Sequence, residues 1–98
     1  MSLLVNNISY TKVGSGPHLC FLHGFCEDSS IWNYQIERLQ KDFTCIAIDL
    51  PGFGDSSGAS FTSIPEVAIL IHTILIKEEA TACVLFGHSL GGYIVGEY

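Results

Sequence analysis

An apolar run, Val84-Leu85-Phe86, stops at Gly87-His88-Ser89-Leu90-Gly91, and a second apolar stretch begins at once. The pattern Gly-x-Ser-x-Gly joins a buried strand to a helix through a sharp turn and holds a serine hydroxyl out at the C-terminal edge of a sheet. Such a turn puts the serine in a strained backbone conformation and starts the helix close beside the strand. Only glycine, which has no Cβ, lets the two backbones approach so closely, which accounts for Gly87 and Gly91. Whatever fold the chain adopts must end a strand there and begin a helix.

The residues before this turn supply matching layers. Leu3 to Val5 and Ile8 to Val13 are β-favouring runs separated by the turn-prone pair Asn6-Asn7, so an antiparallel hairpin is expected. Gly14-Ser15-Gly16-Pro17 breaks the chain. Leu19-Cys20-Phe21-Leu22 is a continuous apolar run of the kind a strand covered on both faces requires, and it ends at His23-Gly24-Phe25. Ser29 or Ser30 is suited to cap a helix in which Trp32, Ile36 and Leu39 form one apolar stripe.

A second buried strand is expected over Phe43 to Ile48, running into the turn-rich loop Asp49-Leu50-Pro51-Gly52-Phe53-Gly54-Asp55-Ser56-Ser57-Gly58. Ser63-Ile64-Pro65-Glu66 fits a capping box with proline near the first helical position, so a helix should run from there to about Lys77. Strands alternating with helices imply a mostly parallel sheet with helices on both faces, preceded by the hairpin. The 98 residues form one domain at most.

Composition narrows the partners. A formal net charge of −6 with four Lys and Arg leaves nothing to replace phosphate counterions, so neither nucleic acid nor an anionic membrane is expected as a partner. The longest apolar run, Val67 to Ile76, is interrupted by His72 and Thr73 and falls short of the roughly 20 residues that span a bilayer. Cys20, Cys26, Cys45 and Cys83 show no paired C-x-x-C spacing, and three lie in apolar strand-like runs, where a thiol acts as a small hydrophobe. Reduced thiols and the lack of a charged-then-apolar opening segment predict a cytoplasmic protein without a secretory signal.

Three motifs in order, His23-Gly24-Phe25, Asp49-Leu50-Pro51-Gly52-Phe53-Gly54-Asp55-Ser56 and Gly87-His88-Ser89-Leu90-Gly91-Gly92, each following a strand, resemble those of the α/β-hydrolase superfamily. The likeness is greatest to compact intracellular esterases and carbon–carbon-bond hydrolases. It implies that residues 1–98 are a partial α/β-hydrolase domain that ends just after the nucleophile elbow. It also implies Ser89 as nucleophile, the backbone N–H groups of Leu90 and Phe25 as oxyanion-hole donors, and a small-molecule carbonyl substrate, with no cofactor and no metal. Phe25, Phe53 and Leu90 are expected against the substrate, and His23, Gly24, Gly87, His88, Gly91 and Asp49 are expected to shape the site. A serine at position 89 excludes the epoxide-hydrolase and dehalogenase branches, which place aspartate there.

The other titratable residues read as structural. His23 follows the wrong strand to be the triad base and is expected to bond loop backbone. His88 adjoins the serine within the elbow, where neighbouring side chains diverge, and is expected to pack, as is His72 inside its helix. Asp49 and Asp55 precede the serine, whereas the family order is Ser, acid, His, so both are expected to fix the loop.

After Ser89 only nine residues remain, none of them histidine or aspartate. The expectation is therefore the N-terminal part of a longer serine hydrolase acting on a small ester, thioester or C–C bond next to a carbonyl. By itself the chain would be inactive, since a hydroxyl without a base is a poor nucleophile at neutral pH. The alternative is a non-catalytic module of the same fold, or an inactive fragment. Two surfaces stand out. The strand before the elbow would be an uncovered apolar edge. Ile69, Leu70, Thr73 and Ile76 would form an outer stripe on the second helix, read as a homo-oligomer contact, as a seat for further chain, or as a merely greasy face.

Overall fold

The computed structural model describes residues 2–80 and 82–98. Strands β1 (Ser2–Val5) and β2 (Ile8–Gly14) form the hairpin. Asn6 and Asn7 lie at φ 51° and 64°. Two successive residues of positive φ make the turn whose twist matches the flanking strands, and asparagine tolerates that region better than most side chains.

Three further strands, β3 (His18–Leu22), β4 (Thr44–Ile48) and β5 (Cys83–Gly87), alternate with helices α1 (Asn33–Leu39), α2 (Ile64–Lys77) and α3 (Leu90–Glu97). The sheet order is β1-β2-β4-β3-β5. β2 runs antiparallel to β4, while β3 is parallel to both β4 and β5. The chain thus steps from β3 to one side to make β4, then crosses back over β3 to make β5. Crossovers share one hand, so a reversal of direction puts successive helices on opposite faces.

The core follows that division. Leu19, Phe21, Cys45 and Ala47 face α1 and its approach, with Trp32, Ile36 and Leu39 laid over them. The intervening residues Cys20, Leu22, Ile46 and Ile48 face the other way, under Val67, Ile71, Ile74 and Leu75 of α2 and Ile94 of α3. The period of two along β3 and β4 therefore feeds two separate cores, which is why both strands read as unbroken apolar runs.

Helix ends show where local chemistry decides. Ser63 caps α2 as expected, its hydroxyl accepting from Glu66 N–H at 3.3 Å. The first helix departs from expectation. Asp28, not Ser29 or Ser30, is the cap, accepting from Ser30 N–H at 2.8 Å, and a 3-10 turn over Ser29–Trp32 precedes the seven-residue α1. A carboxylate two residues ahead of the first free N–H competes better for it than a hydroxyl does. At the far end of α2, Ala80 N–H donates to Leu75 O and Glu79 N–H to Ile76 O, with Glu79 at φ 56°. This is a Schellman termination with glutamate where glycine is usual.

Glu78, at the same helix end, ties α2 to the hairpin. It accepts from Tyr10 Oη at 2.5 Å and pairs with Lys12 Nζ at 3.0 Å. The outer stripe of α2 is real for Ile69 and Ile76, which are 65% and 54% exposed, whereas Leu70 is half-buried against the core. On β5, which has β3 on one side only, Val84 is 57% exposed. Among the described residues no helix is long and apolar enough to cross a membrane.

Candidate active site at the ends of two strands

Because α1 and α3 leave on opposite faces, the C-terminal ends of β3 and β5 open between them. Such reversal points are where α/β sheets bind ligands. His23-Gly24-Phe25 follows β3 there, and Ser89 follows β5.

Ser89 has φ 55° and ψ −112°, a strained conformation for a residue with a side chain. It stands at the N-cap of α3, yet its side chain makes no capping hydrogen bond. A capping serine needs extended backbone to turn its oxygen toward the next turn. Here the backbone turns the hydroxyl away, and Ser89 is exposed. The strain is held by backbone contacts: His88 N–H donates to Leu22 O at 3.1 Å, and Gly91 N–H to His88 O at 3.0 Å. A Cβ on Gly87 would lie 2.4 Å from Gly91 O, and one on Gly91 would lie 2.4 Å from Leu22 O. Both glycines are thus fixed by close approach, as the sequence pattern predicts. Leu90 opens α3, so its N–H is one of the helix's unpaired donors.

The loop after β3 is aimed from within. His23 is fully buried; its Nε2 accepts from Leu50 N–H at 2.9 Å and its Nδ1 lies 2.7 Å from Gly24 O. A lone pair at Nε2 leaves the proton on Nδ1, so Nδ1–H donates to Gly24 O. Gly24 O and Phe25 N–H belong to one trans peptide and point in opposite directions. Holding the carbonyl therefore aims the Phe25 N–H away from His23. Among the described residues, neither Phe25 N–H nor Leu90 N–H donates to another protein group.

Asp49 fastens the second loop. Nearly buried, it accepts from Ser29 N–H at 2.7 Å and from Asp55 N–H at 2.9 Å. A Cβ on Gly54, at φ 50°, would lie 2.6 Å from this carboxylate, so that position requires glycine twice over. Asp55 corrects its expected role: its backbone, not its carboxylate, carries the contact. Phe53 rests edge-on against His23 at 5.7 Å and against Phe25 at 5.4 Å. Of the three residues expected beside substrate, the fold thus joins Phe25 and Phe53, the former 69% exposed. Leu90 instead packs half-buried on the main core. An open cavity of about 540 Å³ lies between the two loops, lined by Cys26, Glu27, Phe53 and Gly54 among others.

Two histidines depart from the packing role expected of them. His88 has its side chain 59% exposed and places Nδ1 3.1 Å from Glu27 Oε1. His72 is likewise exposed, bonded to Tyr98 Oη at 2.6 Å. Glu27, which the sequence reading passed over, also accepts from Gly24 N–H at 2.7 Å. That N–H first, and His88 second, hold its carboxyl below the usual carboxylate range. A carboxylate three residues after a glycine, the reach of a side chain back to a turn's first N–H, was the signal available. The carboxylate–imidazole pair is not a triad in place, because among the described residues no hydrogen bond joins His88 to Ser89 Oγ. All four cysteines are free, and burial pushes the Cys20, Cys45 and Cys83 thiols up, away from reactivity. Among the described residues no group of three His, Cys, Asp or Glu could hold a metal.

A strained serine between a parallel strand and a helix, facing a backbone loop from the adjacent strand, defines an α/β-hydrolase scaffold. The chain belongs to that family: the model of the alpha/beta hydrolase fold matches residues 17–98. It is 38% identical over 97 residues to bifunctional epoxide hydrolase 2 of Mus musculus, covering 90% of this chain and 17% of that protein. To the pimeloyl-[acyl-carrier protein] methyl ester esterase of Vibrio parahaemolyticus it is 32% identical over 88 residues, covering 90% of this chain and 33% of the other. Among solved structures, an esterase from Exiguobacterium antarcticum superposes with a TM-score of 0.83 at 26% identity, over 93% of this chain and 35% of that one. The chain thus spans between about a sixth and about a third of the length of these two curated relatives.

Proposed function

We propose that the chain is the nucleophile-bearing part of a cytoplasmic serine hydrolase acting on a small ester, thioester or C–C bond next to a carbonyl. The observation that carries this is the conformation of Ser89, strained at φ 55° and exposed at the end of β5 with no capping bond to occupy its hydroxyl. Similarity by itself points both to an epoxide hydrolase and to an esterase; the serine at position 89 favours the acyl chemistry.

In this reading Ser89 Oγ attacks the substrate carbonyl carbon and its proton passes to a general base. The carbonyl oxygen takes the negative charge and meets the N–H groups of Leu90 and Phe25, each such donor being worth about 10²–10³ in rate. The start of α3 adds the positive end of a helix dipole. Phe25 and Phe53 supply an apolar wall. His23 has both ring nitrogens committed to backbone, and His88 turns toward Glu27, so base and acid are assigned to sequence continuing beyond Tyr98. The four free thiols support the cytoplasmic assignment. The test is labelling of the full-length protein with a fluorophosphonate probe. Labelling that is lost in Ser89→Ala and kept in His88→Ala is expected; an unlabelled full-length protein refutes the reading.

A further inference from the structure

One oxygen atom bridges the two loops that carry the candidate oxyanion donors. Glu27 Oε1 accepts from Gly24 N–H at 2.7 Å and lies 3.1 Å from His88 Nδ1, two elements that are 64 positions apart in sequence at Gly24 and His88 but adjacent at the strand ends. The Gly24 contact closes on itself: Glu27 N–H donates back to Gly24 O at 3.3 Å, so residues 24–27 form a ring pinned at both ends. Phe25 is the second residue of that ring, and Cys26, at φ 61°, turns its corner. Gly24 is itself squeezed at the crossing, since a Cβ there would lie 2.7 Å from Glu27 Oε1 and 3.1 Å from His88 O.

We propose that Glu27 is a positioning residue that sets the distance between the Phe25 and Leu90 N–H groups by clamping the loop after β3 to the elbow through its single Oε1. The inference rests on the serine-hydrolase reading above and adds to it. Phe25 N–H has its direction fixed by His23 through Gly24 O, but a direction alone does not place it. The loop has no strand partner beyond Leu22 and could swing about Gly24; the bond to Gly24 N–H stops the swing, and the bond to His88 refers it to the helix that carries Leu90. Because the oxyanion forms only in the transition state, a loosened clamp should lower kcat and kcat/KM together and leave KM unchanged. A purely structural role would instead lower the amount of folded enzyme.

The experiment uses the full-length protein, active-site titrated, with p-nitrophenyl acetate as the probe ester. Glu27→Ala is expected to lower kcat about 10- to 100-fold at constant KM, less than the full loss of one donor. Glu27→Gln keeps an acceptor oxygen for both partners and is expected within about 3-fold of wild type. Hydrogen exchange at the Gly24 amide gives a readout independent of turnover: protected in wild type and Glu27→Gln, fast in Glu27→Ala. Unchanged kcat in Glu27→Ala overturns the proposal while leaving the Ser89 reading intact, provided Ser89→Ala is dead. Equal Gly24 exchange in wild type and Glu27→Ala overturns it even if the enzyme shows no esterase activity at all.

Discussion

Removing one hydroxyl, that of Ser56, should loosen the loop under the candidate site. Ser56 is fully buried, and its Oγ accepts from Ser9 N–H at 2.7 Å while donating to Asp49 O at 2.6 Å. Ser9 and Asp49 follow the last regular pair of the β2–β4 ladder, Tyr10 with Ile48, and Asp49 N–H still reaches Ser9 O at 2.9 Å. The hydroxyl thus stands in for the missing half of the next ladder pair, splaying Asp49 outward so that its carboxylate can hold Ser29 and Asp55. Ser56→Ala orphans a buried N–H, at about 1–3 kcal/mol, and removes one donor to a carbonyl, at about 0.5–1.5 kcal/mol. Together these come to about 1.5–4.5 kcal/mol, with almost no cavity term because only an oxygen is lost. Urea unfolding of the full-length protein followed by circular dichroism reads this as a lower midpoint at unchanged slope. Ser57→Ala, at the exposed neighbour, should stay within about 0.5 kcal/mol of wild type. If the two variants unfold at the same urea concentration, the bridging hydroxyl is not holding the strand ends together.

Glu79 ends α2 at φ 56°, where a side chain costs about 1 kcal/mol that glycine avoids; Glu79→Gly should raise the urea midpoint, and a lowered one would show that the carboxylate matters more than the backbone. Glu78 is held below its ordinary carboxylate value of 4.5, chiefly by Tyr10 Oη and then by Lys12. A depressed carboxylate contributes stability above its unfolded value and loses it as pH falls through the folded one. Stability should therefore drop as pH falls from about 5 to 3, and Tyr10→Phe should flatten that drop while costing about 1–3 kcal/mol at neutral pH. Parallel pH profiles for the two proteins would exclude the Tyr10 hydroxyl as the cause.

What the sequence made legible was whatever is decided within a few residues. Asn6-Asn7 specify their turn because the strain of positive φ is a property of each residue, and Ser63 caps α2 because its partner N–H is three positions away. Gly87 and Gly91 announce a close approach without saying to what; the structure supplies Leu22 O for Gly91. The contacts of Ser56 and Glu27 are not legible, for the opposite reason. Their partners, Ser9 and His88, are 47 and 61 residues distant, and they become neighbours only through the strand order, in which β4 lies beside β2 and β5 beside β3. Nothing in a strand's own residues states which strand lies beside it. The same gap hides the role of His88: a histidine in a tight elbow reads as packing until a carboxylate from another loop is known to face it.

The same contrast divides the site. Its backbone half consists of a strained serine and two N–H groups held by glycines, a buried His23 and peptide planarity, so its geometry depends little on which side chains stand at 25 and 90. Phe25 is largely exposed and Leu90 is turned into the core, yet both N–H groups keep their positions at the strand ends. On the serine-hydrolase proposal, selectivity for a carbonyl oxygen would be built into residues 22–25 and 87–91, while selectivity for what flanks that carbonyl would fall to Phe25, Phe53 and whatever else walls the opening. On the same proposal, catalytic class and substrate choice would be carried by different atoms, the first by main chain fixed through β3 and β5 and the second by side chains that the sheet leaves free to vary.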